Sequence, residues 1–245
     1  MNGSTIDVQT PDGVADCYLT RPDGVGSYPG VLFLIDAIGL RRRTKEMADR
    51  IAAQGYVVLA PNTFYRAGRA PIWPEPDLAD QAAAGEFFKS LGPLMGALTP
   101  PAIASDGGSY LDKLAELTDD PVGITGYCMG GRLGWTVAAA YPDRVAAFAG
   151  FHTGGMVTDK PDSPHLLAPQ IKAKVYWGHA GDDRSMTPEN VAVLDKAMDD
   201  AGIRHTTEVY PGALHGYTMS DMPAYNEEYA ERHFNALFGL LDQTF

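Results

Sequence analysis

Only two cysteines occur among the 245 residues, Cys17 and Cys128. Two thiols cannot build the disulfide framework of a small secreted scaffold, and there is no C-x-x-C pair to serve as a redox couple. Basic residues are scarce as well: 19 Lys and Arg stand against 31 Asp and Glu, a net charge of −12. That balance argues against a nucleic acid partner, because phosphate binding needs a basic stripe. The one basic run, Arg41, Arg42, Arg43 and Lys45, reads as a solvated helix start. No apolar run reaches the roughly 18 residues of a membrane span, so no membrane partner is expected. The opening "MNGSTIDVQTPDG" has no basic segment followed by an apolar core. No secretory leader is therefore expected. A cytoplasmic, reducing setting fits, and it would keep Cys128 a free thiol. Repeats, low-complexity tracts and linkers are lacking too, and the length suits one α/β domain over residues 1–245.

What is present alternates. "STIDVQT" and "ADCYLTRP" read as strands around a "PDG" turn. "GVLFLIDAIGL" is a continuous apolar run, as in a strand covered on both faces. A helix carrying Met47 and Ile51 follows and stops at Gly55. "YVVLAPN", "PVGITGY", "VAAFAGF", "AKVYWGH" and "HTTEVY" read as further strands. Helices are expected over "DLADQAAAGEFFKSL", "AIASDGGSYLDKLAEL", "GRLGWTVAAAY", "PENVAVLDKAMDDAG" and "NEEYAERHFNALFGLLDQ". This order predicts an α/β fold: a mostly parallel sheet with helices on both faces. Ligands bind such sheets at the carboxyl ends of the strands. Four strands are followed there by residues able to do chemistry: Asp36, Cys128, Asp183 and His215. "YRAGRAPIWPEPD" reads as an irregular loop that could wall a pocket.

"GYCMGG" sets Cys128 between a strand and a helix in a G-x-C-x-G turn, the nucleophile-elbow pattern with cysteine in place of serine. Small neighbours are needed for strand and helix to come close at so tight a turn. The free N–H groups and dipole of the helix N-terminus favour a thiolate. The next amide, that of Met129, points where an oxyanion would form. A buried structural cysteine at a glycine turn is the alternative.

A nucleophilic cysteine needs a base, and the base needs an orienting carboxylate. Asp182 and Asp183 in "GHAGDDRSMTP" and His215 in "YPGALHGYT" follow in the order nucleophile, acid, histidine. His205 leads into a strand, His165 lies in a Pro-rich connection, His179 precedes the aspartates, and His233 is expected on the surface of the last helix. His152 leaves a strand at the right end but would break the chain order as a base. Cysteine and histidine ligands at zinc spacing are missing, so no metal is expected.

These pieces resemble the dienelactone hydrolase (carboxymethylenebutenolidase-like) family of the α/β-hydrolase superfamily: "GYCMGG" at the nucleophile, "GHAGDDRSMTP" at the acid, "ALHGY" at the histidine and "FLIDAIGL" after an early strand. The resemblance implies an α/β-hydrolase fold and a Cys-His-Asp hydrolase. It would cleave a small-molecule ester or lactone through a thioester, without a cofactor. It matches Cys128 to the nucleophile, His215 to the histidine and Asp183, rather than Asp182, to the acid. The amides of Ala37 and Met129 match the oxyanion hole. Asp36 stands where the family often has a glutamate that helps activate the nucleophile; the other role open to it is orienting the oxyanion loop. His152 and Tyr217 are assigned to the substrate pocket. An arginine that holds a substrate carboxylate in dienelactone hydrolases is Met219 here, which leaves Arg66 and Arg69 as candidates for that task. A thioesterase and a non-catalytic scaffold that binds a small molecule are the other readings.

Overall fold

Side chains along strand β3 (Gly30–Leu34) alternate between two cores. Leu32 and Leu34 join one; Val31, Phe33 and the following Ile35 join the other. That is why the segment reads as an unbroken apolar run. A strand covered on both faces has no polar side, and each buried Leu, Ile or Phe contributes about 1.5–3 kcal/mol.

The computed structural model describes residues 3–24, 26–74, 76–118 and 121–245. Met1 and Asn2 of the opening stretch and Glu75 of the Pro-rich loop lie outside them. Eight strands form one sheet in the order β1-β2-β4-β3-β5-β6-β7-β8. β1 (Ser4–Thr10) and β2 (Gly13–Thr20) form an antiparallel hairpin, and β2 meets β4 (Val57–Pro61) antiparallel. From β4 onward the neighbours are parallel, through β5 (Val122–Tyr127), β6 (Val145–Phe151), β7 (Lys174–Asp182) and β8 (His205–Leu214).

Helices cover both faces, as expected for an α/β-hydrolase fold. α1 (Arg42–Ala52) and α7 (Glu227–Asp242) place Met47, Ile51, Phe234 and Leu241 on one face. α4 (Pro100–Ala115), α5 (Met129–Ala140) and α6 (Pro188–Asp200) place Leu111, Leu133 and Leu194 on the other. Between β4 and α4 lie α2 (Gln81–Ser90) and α3 (Gly92–Ala97). α3 buries none of its residues. Its sequence, "GPLMGA", is short and rich in glycine and proline, and carries no helix signal. Among the described residues, no helix is long and apolar enough to cross a membrane.

The chain leaves β3 for β4 on one side and returns to β5 on the other. The loops after β3 and β5 therefore diverge at the sheet's switch point, where a crevice opens.

Candidate active site

Cys128 occupies that switch point. It has φ 53° and ψ −118°, between the end of β5 and the first residue of α5. A side chain held at positive φ costs about 1–3 kcal/mol and persists only where its surroundings impose it. Here they do. A Cβ on Gly126 would lie 2.3 Å from the carbonyl oxygen of Gly130, and one on Gly130 would lie 2.1 Å from that of Leu34. The glycines thus seat α5 directly on the ends of β5 and β3. Tyr127 anchors the strand below, fully buried and stacked 4.9 Å from Phe33 and 5.6 Å from Phe151. The Cys128 amide donates to Phe151 O and the Gly131 amide to Cys128 O. The Met129 amide takes no part in these bonds and stands at the first position of α5.

Acid and histidine come together through the pairing of β7 and β8. The two strands run longer than the sequence suggests, and the register slips between Ala180 and Asp182 so that Asp182 faces Leu214. The first residues past the two strands are Asp183 and His215. The Asp183 side chain is 4% exposed, and its Oδ2 lies 2.6 Å from His215 Nδ1. Its Oδ1 accepts from Ser185 N at 2.8 Å and from Ser185 Oγ at 2.6 Å. Asp182 is exposed on the strand. Ser185 has no sequence signal of its own, although an Asp side chain often accepts, as here, from the backbone N–H two residues on.

Burial disfavours a charged His215 ring, but hydrogen bonds with Asp183 and Cys128 and their charges outweigh it and raise the pKa from 6.5 to about 10. Burial likewise raises the Asp183 carboxyl, yet His215 and the Ser185 bonds outweigh it and hold the pKa below its ordinary 3.8. The histidine is therefore paired with the carboxylate, and its charged form is favoured further by Cys128. Its protonation favours the fold fully below about pH 6.5, and that contribution is lost as the pH rises toward about 10. The Asp183 contribution is present above about pH 3.8 and is lost as the pH falls through the lower folded-state value. The difference in Tm between the wild type and His215→Gln should be widest at about pH 5–6 and shrink by about pH 10. A difference that stays constant over that range would contradict the pairing.

Asp36 is turned to other partners. Its oxygens accept from Arg41 Nη1 at 2.7 Å and Nη2 at 3.0 Å, and the Ile38 amide donates to Oδ1 at 3.0 Å. Arg41 also holds Asp221. The carboxylate thus braces the loop that follows β3. The same loop is held by Trp73, whose indole N–H donates to Ile38 O at 2.8 Å. Trp73 packs against Phe64 and against Phe87 of α2, and neither contact has a local sequence signal. Ala37, the loop's candidate oxyanion donor, is buried.

The pocket assignments of His152 and Tyr217 need correction. Tyr217 is 0% exposed and His152 1%, so neither forms an open wall. They form a layer beneath His215, whose ring lies 5.3 Å from that of His152; the His152 ring is 5.2 Å from that of Tyr217. His152 has φ 38°, a turn at the strand end that directs the ring inward. Its Nε2 lies 2.7 Å from Thr218 Oγ1. Burial first, then the charge of His215, pushes its pKa well down, so the ring is neutral. His233, expected at the surface, is buried between Tyr127 and Phe151. Met219 is buried in the core on the α1 and α7 face. Arg66 is taken up by Asp12 and Asp106, and Arg69 by Asp7. Neither arginine is left for a substrate carboxylate.

Comparison with known proteins finds relatives of the whole chain. A relative from Synechocystis sp., provisionally named carboxymethylenebutenolidase, is 28% identical over 87% of this chain and 85% of its own. One of the same provisional name from Escherichia coli is 28% identical over 93% and 87%. The structure of a provisionally named dienelactone hydrolase from Klebsiella pneumoniae superposes with a TM-score of 0.83 at 20% identity, covering 99% of this chain and 98% of its own. A dienelactone hydrolase-like promiscuous phosphotriesterase from metagenomic libraries superposes with a TM-score of 0.77 at 20% identity, covering 100% of both chains. The profile of the dienelactone hydrolase family matches residues 15–245, and the chain belongs to that family.

Proposed function

We propose that the chain works as one hydrolase domain whose Cys128, His215 and Asp183 cleave a small-molecule ester or lactone through a thioester. The family is one of carboxylic ester and lactone hydrolases. The observation that carries the covalent reading is the His215–Asp183 pair, 2.6 Å apart, together with Cys128 held at a positive-φ turn at the start of α5.

The Cys128 sulfur attacks the acyl carbon, and the carbonyl π electrons move to oxygen. The amides of Met129 and Ala37 stabilise that oxyanion, each such donor lowering the barrier by about 2.7–4 kcal/mol. As the carbon–oxygen bond breaks, His215 gives its proton to the leaving alkoxide, and the acyl group stays on sulfur. His215 then takes a proton from water, hydroxide adds to the thioester, and the acid leaves as Cys128 and His215 are restored. Positioned acid–base assistance of this kind supplies about 10²–10⁴ in rate. Asp183 holds the ring with Nε2 toward sulfur and stabilises its charged form. Asp36, through Arg41 and the Ile38 amide, keeps the Ala37 loop in place.

The reading is tested by turnover of aryl esters, lactones and thioesters by the wild type against Cys128→Ala; turnover that survives the substitution overturns it. The loop brace has its own test. Trp73→Phe keeps the ring and removes the bond to Ile38 O, worth about 0.5–1.5 kcal/mol. The expected result is a fall in kcat of about 3- to 10-fold with KM little changed. A rise in KM at constant kcat would instead make Trp73 a wall of the substrate pocket.

A further inference from the structure

The basic run at the start of α1 divides in the structure. Arg41 and Arg43 turn inward: Arg41 holds Asp36 and Asp221, and Arg43 donates to Thr218 O. Arg42 and Lys45 line a cavity of about 260 Å³. Lys45 is half-buried, and among the described residues its ammonium meets no carboxylate; it rests over the Tyr18 ring, 5.4 Å from the centroid. The Arg42 side chain is 88% exposed and reaches only Glu46, at 3.5 Å. A pair so exposed is weak, and both positive charges remain open to a ligand.

The body of the cavity is apolar. Ile38 and Leu40 of the loop after β3 form one wall, and Pro71, Ile72 and Trp73 form the other. Among the described residues, no acid lines it. An apolar slot edged by cations, in a chain of net charge −12, suits a ligand with a flat apolar body and one negative group. An aromatic ring on a short acid chain has that form. Its ring can lie against Trp73 and its carboxylate can meet Lys45.

Cys128, Asp183 and His215 do not line this cavity, so it is no part of the place where an ester would be cleaved. What it shares with that place is the loop that carries Ala37. The Gly39 amide donates to Asp36 O at 3.2 Å, closing a tight turn at a residue with φ 101°. The Trp73 ring packs on that turn, 3.5 Å from where a Cβ on Gly39 would sit, and its N–H holds Ile38 O. A ligand between the two walls touches both partners of that bond. Its contacts are complete only where the walls are docked, so it favours the docked loop over an open one.

We propose that this cavity is a second ligand site, which takes a small aromatic carboxylate and steadies the Ala37 loop when filled. Binding there is independent of the hydrolase reading above, and its effect on rate rests on that reading.

The probes are hydrocinnamate and its neutral amide, hydrocinnamamide, titrated into the whole chain at low salt. Tryptophan emission reports the site, because Trp73 is half-buried while Trp135 and Trp177 are fully buried. Hydrocinnamate should bind with a Kd of about 1 mM, as befits so small a ligand, and the amide about 10-fold more weakly. Lys45→Gln should weaken hydrocinnamate about 5- to 10-fold and leave the amide as it was. In the wild type alone the preference for the carboxylate should shrink as salt is raised, which keeps the test decisive if the variant fails to fold. Equal affinities for the two probes, a preference indifferent to salt, or an unchanged preference in folded Lys45→Gln each overturns the site. Turnover of an aryl ester reads the coupling. Saturating hydrocinnamate should raise the kcat of Trp73→Phe, whose loop brace is weakened, about 2- to 5-fold, and that of the wild type less. A rise in KM with kcat unchanged would place hydrocinnamate in the ester's own site and overturn the proposal. If the wild type turns over no ester or lactone, the hydrolase reading fails, and the titrations still decide the binding site.

Discussion

Cys128→Ala is expected to lower kcat/KM for an activated aryl ester by about 10⁴-fold or more, with the fold intact. Loss of a nucleophile that works with a base as one unit removes nearly all of the chemistry, leaving only what the oxyanion donors and binding contribute. The side chain is only partly buried at the edge of the core, so its removal leaves little cavity. Tm and circular dichroism should be near those of the wild type. A wild-type reaction quenched in acid should show Cys128 carrying the acyl group by mass, and the alanine variant should carry none there. A structural cysteine predicts the reverse: a lowered Tm and an unchanged rate per folded molecule.

Gly130→Ala should have the largest effect on stability. Its Cβ would lie 2.1 Å from Leu34 O and 2.5 Å from Ile35 O, both backbone atoms of a fully buried segment. No rotamer change relieves such a clash. α5 has to lift from β3, at a cost of about 3–5 kcal/mol. Any folded fraction should also be slow, because the end of β3 begins the loop that carries Ala37. Gly239→Ala is the control. That glycine is on α7, a Cβ there would meet nothing within 4 Å, and the change should be neutral or stabilising by up to about 1 kcal/mol. Chemical denaturation of the two variants measures both effects. Equal stabilities would mean that the close seating of α5 on β3 is wrong.

The alternation of strands and helices was legible because each strand is a short apolar run and each helix an amphipathic one. Cys128, Asp183 and His215 were legible because each directly follows a strand, in a turn with its own local signature. Side-chain direction beyond a strand end was not. His152 follows β6 just as closely, yet its positive φ directs its ring inward, and no local residue announces that. Nor were the partners of Asp36 readable. Arg41 is five residues away, but its second carboxylate, Asp221, lies 180 residues further on. Arg66 and Arg69 looked free for the same reason: Asp106, Asp12 and Asp7 reach them only once the chain has folded. The Trp73 contact with Ile38 is equally nonlocal.

The position of β8 bears on how such a molecule would wear out. It is the sheet's last strand, bonded on one side only, to β7, while β5 lies inside with partners on both sides. The candidate nucleophile is thus fixed in the interior of the sheet, and the histidine hangs from one of its two outer strands. Outer strands exchange their amide hydrogens through local openings that cost far less than global unfolding. One such opening would part His215 from both Asp183 and Cys128 while the rest of the sheet held. Catalytic silence would then set in during heating before the cooperative melt, and β8, rather than the whole fold, would set the working temperature.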